Sequence, residues 1–152
     1  MSKWLFIILL FLSFCSIKPE GEKQVTKQLL TSGKFVFKAQ TALPLSGRSV
    51  TLSEGYDITI SRDTVTAYLP YYGRAYSAPI DPSSGGFKFT STNFEYQVQD
   101  RDKGGWDVFI KPKDYIEARE LSLTIFANGS ATLQVLGNNR QPISFSGTVI
   151  AK

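Results

Sequence analysis

The sequence predicts an all-β domain: about ten short antiparallel strands in a barrel-like meander, preceded by one N-terminal amphipathic helix. Three observations carry this expectation. From Lys34 onward, apolar residues recur at every second position, the period of a strand with one buried face. Turn-forming residues interrupt that alternation roughly every 8–12 residues. The composition has 11 Phe and 7 Tyr but only 1 Met, a bias towards strand formers. Short connections make consecutive strands antiparallel. One-sided strands bury their faces by closing into a barrel or by stacking as a two-layer sandwich. The meander order favours the barrel, with the sandwich as the alternative.

Residues 1–15 are expected to be a signal peptide. Lys3 gives a positive start, and Trp4 to Phe14 is an apolar run broken only by Ser13. The run is shorter than the roughly 20 residues that span a bilayer and fits the hydrophobic region of a secretory signal. Leu12-Ser13-Phe14-Cys15 resembles a bacterial lipobox, which makes Cys15 a candidate lipidation site. Phe14 departs from the small residue expected before the cysteine. Ordinary cleavage near Cys15 or Ser16 therefore stays open.

Residues 16–33 form a polar tether and short helix, and 34–152 a single β domain. At 152 residues the chain is long enough for one domain and one core. Pro19 and Glu20 suit a first helical turn. Val25, Leu29 and Leu30 share one narrow helical face, and Gly33 suits the C′ position. The helix is expected over Pro19 to Thr31.

The strands follow in order. Phe35, Phe37 and Ala39 alternate with Val36 and Lys38, up to the turn at Leu43-Pro44-Leu45-Ser46-Gly47. Val50 and Leu52 share a face. Tyr56, Ile58 and Ile60 alternate with Asp57, Thr59 and Ser61. After Arg62-Asp63, Val65, Ala67 and Leu69 alternate with Thr64, Thr66 and Tyr68, up to Pro70. Tyr71 to Gly85 is a long connection, and connections of that length are usually functional or disordered. Phe87 and Phe89 resume the pattern. Phe94, Tyr96 and Val98 precede the hairpin turn Asp102-Lys103-Gly104-Gly105. Trp106, Val108 and Ile110 follow, then Leu121, Leu123 and Ile125. Asn128-Gly129 predicts a type I′ turn with positive φ at both residues. Ala131, Leu133 and Val135, then Ile143, Phe145, Gly147 and Val149, complete the set.

Composition excludes several chemistries. There is no histidine, and Cys15 is the only cysteine. A Cys/His zinc site and a Ser-His-Asp triad cannot be built. No metal and no cofactor is expected. The net charge of +4 comes from 17 basic and 13 acidic residues, scattered singly along the chain, so no nucleic-acid partner is expected. Contact with a membrane is expected only through the candidate lipid anchor. Asp57, Glu95 and Asp107 fall in the outward phase of their strands and predict a solvated face. Asp63 and Asp81 have ordinary turn roles. A glycosidase built on two carboxylates is a minor alternative.

Tyr71, Tyr72, Arg74 and Tyr76 stand out, with Trp106 as a residue that the fold could bring to them. Tyrosines present flat apolar faces with a polar edge, and Arg74 brings a fork of donors. Such a group reads in two ways. It is a platform for a small apolar or amphipathic ligand or for a partner protein, or it is a plug across the barrel end.

Four stretches carry a family resemblance: Leu69-Pro70-Tyr71-Tyr72-Gly73-Arg74-Ala75-Tyr76, Gly85-Gly86-Phe87-Lys88-Phe89, Asn128-Gly129-Ser130-Ala131, and Asn139-Arg140-Gln141-Pro142-Ile143-Ser144-Phe145-Ser146-Gly147. With the N-terminal signal, the chain resembles DUF4251, a family of secreted Bacteroidota proteins defined as a domain of unknown function. The resemblance implies export to the periplasm or outer membrane of a Gram-negative bacterium. It implies no activity, cofactor or catalytic residue. The expectation is therefore a non-enzymatic envelope protein whose partner is an unknown small ligand or another envelope protein.

Overall fold

The computed structural model describes residues 20–76 and 85–152. The expected signal peptide, Cys15, Pro19 and the stretch 77–84 of the long connection lie outside the described residues. Among those described, one helix and ten strands form, and the strands make a nearly closed, barrel-like antiparallel sheet.

Helix α1 spans Glu20–Ser32. Its end is a Schellman cap: Lys34 N donates to the Leu29 carbonyl and Gly33 N to the Leu30 carbonyl, with Gly33 at φ 61°. Only glycine adopts that conformation without strain. Leu30 is fully buried in the core. The Tyr96 hydroxyl donates to the Leu30 carbonyl at 2.6 Å, and Lys27 pairs with Asp100 at 3.0 Å.

The strands are β1 (Phe35–Pro44), β2 (Val50–Thr51), β3 (Asp57–Ser61), β4 (Thr64–Pro70), β5 (Gly86–Ser91), β6 (Phe94–Asp100), β7 (Trp106–Pro112), β8 (Ala118–Ile125), β9 (Ser130–Gly137) and β10 (Ile143–Ala151). Their order across the sheet is β5-β4-β3-β1-β10-β9-β8-β7-β6, with β2 off this path beside β1. Two meanders, β3 to β5 and β6 to β10, are therefore joined by β1. The first strand pairs with the last, from Phe35 opposite Ala151 to Pro44 opposite Ile143. A bulge at Ala39–Thr41 interrupts that register and kinks β1 locally.

Strands β5 and β6 are consecutive but end the path on opposite sides. Their connection is a corner, held by Asp114. One carboxylate oxygen accepts the Ser91 hydroxyl, and the other accepts Thr92 N at 2.9 Å and Asn93 N at 3.2 Å. The C-terminal end of α1 lies beside this opening. Thr31 to Gly33 face Ile60, Ser61, Arg62, Phe94 and Tyr96 across a cleft of about 250 Å³.

Among the described residues, large side chains pack the interior. Phe35, Phe37, Ile58, Phe87, Leu133 and Phe145 are fully buried, each contributing about 1.5–3 kcal/mol. The hairpin at Asn128-Gly129 corrects the type I′ expectation. Gly129 alone has positive φ, at 82°, and Asn128 does not. Phe126 N donates to the Ser130 carbonyl and Gly129 N to the Phe126 carbonyl. The loop therefore has three residues, a type I turn followed by glycine. The Asn128 side chain accepts from Ser130 N and its hydroxyl, which stabilises the longer form.

Candidate functional site

At Pro70 the chain leaves the sheet, and the next six residues divide between inside and outside. Tyr71 turns inward. Its ring meets Phe87 edge-on, with centroids 5.9 Å apart and planes at 89°. Its hydroxyl lies 2.8 Å from the Arg74 carbonyl and 3.1 Å from that of Gln141. The backbone then runs along the β9–β10 turn. Gln141 N donates to the Arg74 carbonyl, Tyr76 N to that of Asn139, and Ala75 pairs with Arg140.

Arg140 is the centre of this closure. It is 5% exposed. Its guanidinium carbon lies 4.9 Å from the ring centroids of both Tyr71 and Phe87. It forms an ion pair at 2.7 Å with Glu117, and the Tyr115 hydroxyl donates to the same carboxylate oxygen at 3.2 Å. Tyr115 in turn stacks on Phe89 at 4.1 Å. A buried guanidinium needs both its charge and its donors matched, and here two rings and one carboxylate do so. Burial pushes the Tyr71 hydroxyl above the usual tyrosine range, partly offset by Arg140. Burial and the Glu117 carboxylate push Tyr115 to about 12.

The outer side is different. Tyr72, Arg74 and Tyr76 are exposed. Tyr68, on the outward phase of β4, is 47% exposed and stacks against Tyr56 at 5.4 Å with planes 17° apart. Lys88 Nζ lies 5.6 Å from the Tyr68 ring centroid. The pairings Asp57–Tyr68 and Tyr68–Lys88 across β3, β4 and β5 set this ladder. Tyr56, just before β3, leaves the alternation opposite the bulged part of β1, where its carbonyl accepts Ala39 N at 2.9 Å. These side chains, with Tyr71, Tyr72 and Gly86, line an open cleft of about 390 Å³. A second cleft, of about 490 Å³, also lined by Tyr56, is bordered by Lys38, Gln40, Thr51, Glu54 and Thr148.

Tyr71 and Tyr72 thus reach one cleft, while Arg74 and Tyr76 stand outside its lining. Trp106 is not brought to the group. It is 6% exposed and pairs with Ile125 at the far end of β8 from Glu117. At about 3.4 Å per residue, the 8 residues of β8 separate the two ends by roughly 24 Å. Cys15 lies outside the described residues. The outward carboxylates are paired: Asp57 with Lys38 at 2.7 Å, Glu95 with Lys113 at 2.8 Å, and Asp107 with Arg101 at 3.3 Å.

Sequence reasoning missed Tyr56, Tyr68 and Lys88 as a group, and Arg140 with its partners. One part was readable: the two-residue turn at Arg62-Asp63 fixes Tyr68 opposite Asp57 on the outer face, but regular alternation turns Tyr56 to the other face, so its stacking on Tyr68 was not. No comparable local signal marks Arg140. Its partners come from β5, the β7–β8 loop and the crossing segment.

The comparisons with known proteins agree with this architecture. A solved DUF4251 family protein from Bacteroides eggerthii superposes with a TM-score of 0.62 at 13% sequence identity, over 88% of this chain and 92% of that one. At that identity the likeness concerns the fold. No curated protein matches the chain. The family model for DUF4251, a domain of unknown function, matches residues 18–149, and the chain belongs to that family.

Proposed function

We propose that this protein is an exported, non-enzymatic module of the bacterial cell envelope that binds a small amphipathic ligand on the outside of its barrel. The observation that carries this reading is the Tyr56–Tyr68 stack with Lys88 in an open cleft of about 390 Å³. A pocket of a few hundred cubic ångströms, with rings and a few polar groups on rigid strands, is the usual form of a small-molecule site. The packed core leaves the outer face for recognition. The non-enzymatic part rests on the missing histidine and on the ion pairs that hold Asp57, Glu95, Asp107 and Glu117. Export rests on the apolar run before Cys15.

Intrinsic tyrosine fluorescence tests the ligand reading. Titration with amphiphiles and glycans is expected to change the emission of the wild-type chain and not of the Tyr68→Ala variant. No change with any of them would defeat the reading. For export, Cys15→Ser is expected to move the chain from the membrane to the periplasmic fraction. A wild-type chain found in the cytoplasm would refute it.

A second reading, a contact surface for another envelope protein, is favoured by Tyr76 and Ile116. These are 71% and 72% exposed. Both flank one turn: Tyr76 N donates to the Asn139 carbonyl, and the Asn138 side chain to that of Ile116. Loss of crosslinked partners on Tyr76→Ser with Ile116→Ser, with ligand response intact, would support it.

A further inference from the structure

The aromatic cleft does not stand alone. Tyr56 lines both outer clefts, so the two meet at this residue. One half is aromatic, with Tyr68 and Tyr72. The other is polar, with Lys38, Gln40, Thr51 and Glu54. We propose that the two halves form one groove for a neutral oligosaccharide, with one sugar ring against the tyrosines and the next in the polar half. This rests on the reading of the aromatic cleft as a ligand site and adds the class of its ligand.

Three features select that class. First, a pyranose has an apolar face of C–H groups and a rim of hydroxyls, each both donor and acceptor. Half-exposed tyrosine rings match the face. The rim is matched by a mixed set in which Glu54 only accepts, Lys38 only donates, and Gln40 and Thr51 do both.

Second, the charges do not add to one sign. Lys38 is held by Asp57 at 2.7 Å, Glu54 borders the same half, and Lys88 lies over the Tyr68 ring. A phosphate or carboxylate ligand would call for converging cations or a bidentate arginine, and Arg140 is committed to Glu117. Third, an acyl chain gains by leaving water on all sides. The enclosed space that would allow this is occupied by Phe37, Phe87 and Phe145, and both clefts are open.

The groove is built on a rigid frame. The Tyr68 and Lys88 positions are fixed by the β3–β4–β5 ladder, and Gln40 lies in the β1 bulge, its carbonyl accepting Leu52 N at 2.8 Å. Little ordering of the protein is needed on binding, which favours weakly held, hydrated ligands of this kind.

Isothermal titration of the chain with cellotetraose, chitotetraose, mannotetraose and the corresponding monosaccharides tests the inference. At least one tetrasaccharide is expected to bind, about tenfold or more tightly than its monosaccharide, because it occupies both halves. Tyr68→Ala is expected to weaken it about tenfold, with Tyr68→Phe close to the wild type. Gln40→Ala and Glu54→Gln are expected to weaken the tetrasaccharide but leave the monosaccharide unchanged. Equal affinities for both lengths, or no effect of Gln40→Ala and Glu54→Gln, would overturn the two-part groove. Binding of lysophosphatidylcholine without any saccharide would overturn the carbohydrate class while leaving the cleft a ligand site. Binding of neither would remove both readings.

Discussion

Two tyrosine clusters share the stretch after Pro70, and they are built on opposite principles. Around Arg140, the guanidinium and the tyrosine hydroxyls all have partners, and the Gln141 side-chain oxygen alone among the described buried side-chain groups lacks one. The guanidinium has Glu117 and two rings, the Tyr71 hydroxyl has two carbonyls, and the Tyr115 hydroxyl has Glu117. Around Tyr68 the rings are stacked but half open, and the cleft beside them faces water. The first arrangement converts polar groups into a barrel closure. The second leaves apolar and polar surface unspent, which is what a binding site requires. Aromatic content alone does not tell the two apart; exposure and partner count do.

The largest expected effect lies in the closure. Arg140→Ala leaves the Glu117 carboxylate without its cation among buried groups and is expected to cost about 3 kcal/mol in urea unfolding. The double variant with Glu117→Ala should recover part of that loss. A cost near zero for Arg140→Ala would mean the closure is not a stability element.

Alkaline pH attacks the same cluster and, separately, the Tyr96 contact with the end of α1. Tyr71, Tyr96 and Tyr115 titrate above the ordinary tyrosine value of 10.0 because burial disfavours the phenolate, Tyr115 at about 12. Folded values above unfolded ones mean that their contribution is complete below pH 10 and is lost as pH rises through the folded values. Urea midpoints are expected to fall from pH 10 upward, and less steeply in Tyr115→Phe. A flat profile would contradict burial of the hydroxyls.

Acid attacks the β5–β6 corner. The Ser91 hydroxyl, followed by the Thr92 amide, holds Asp114 below its ordinary 3.8. Its contribution is therefore present above that value and lost as pH falls through the depressed one. Asp114→Ala should melt below the wild type at neutral pH, with the gap closing near pH about 2. A gap unchanged by pH would point to packing instead of charge.

Tyr71→Phe removes one shared hydroxyl and should cost about 1 kcal/mol. Tyr68→Ala has the smallest effect, within about 0.5 kcal/mol as for other surface positions, while abolishing the fluorescence response. If Tyr68→Ala destabilised the domain as much as Arg140→Ala, the two clusters would be one structural unit and the contrast would fail.

Much of the fold was readable along the chain. The ten strands fall where alternation marked them, the helix ends one residue later than expected, and Gly33 takes the predicted cap. Strand β1 runs on to Pro44, through the start of the expected turn, because its end pairs with Ile143. The turn at Asn128-Gly129 adopts a three-residue form instead of type I′, because Asn128 retains negative φ and its side chain caps Ser130. The candidate site was half readable. Tyr71 and Tyr72 were marked by their stretch, but one faces in and the other out. Trp106, the bulkiest apolar residue of its strand, went to the core at the other end of the sheet.

By itself, the sequence determined which residues alternate, where the chain turns, and which chemistries lack their residues. Those are local properties, fixed by side-chain period, backbone preference and inventory. The tertiary structure alone decided that β1 pairs with β10, that Arg140 rather than Arg74 is the buried guanidinium, and that Tyr56 meets Tyr68 beside Lys88. Each of these depends on partners brought together by the whole sheet. Burial of apolar faces and the register of distant strands set them, and no short window of sequence contains that information.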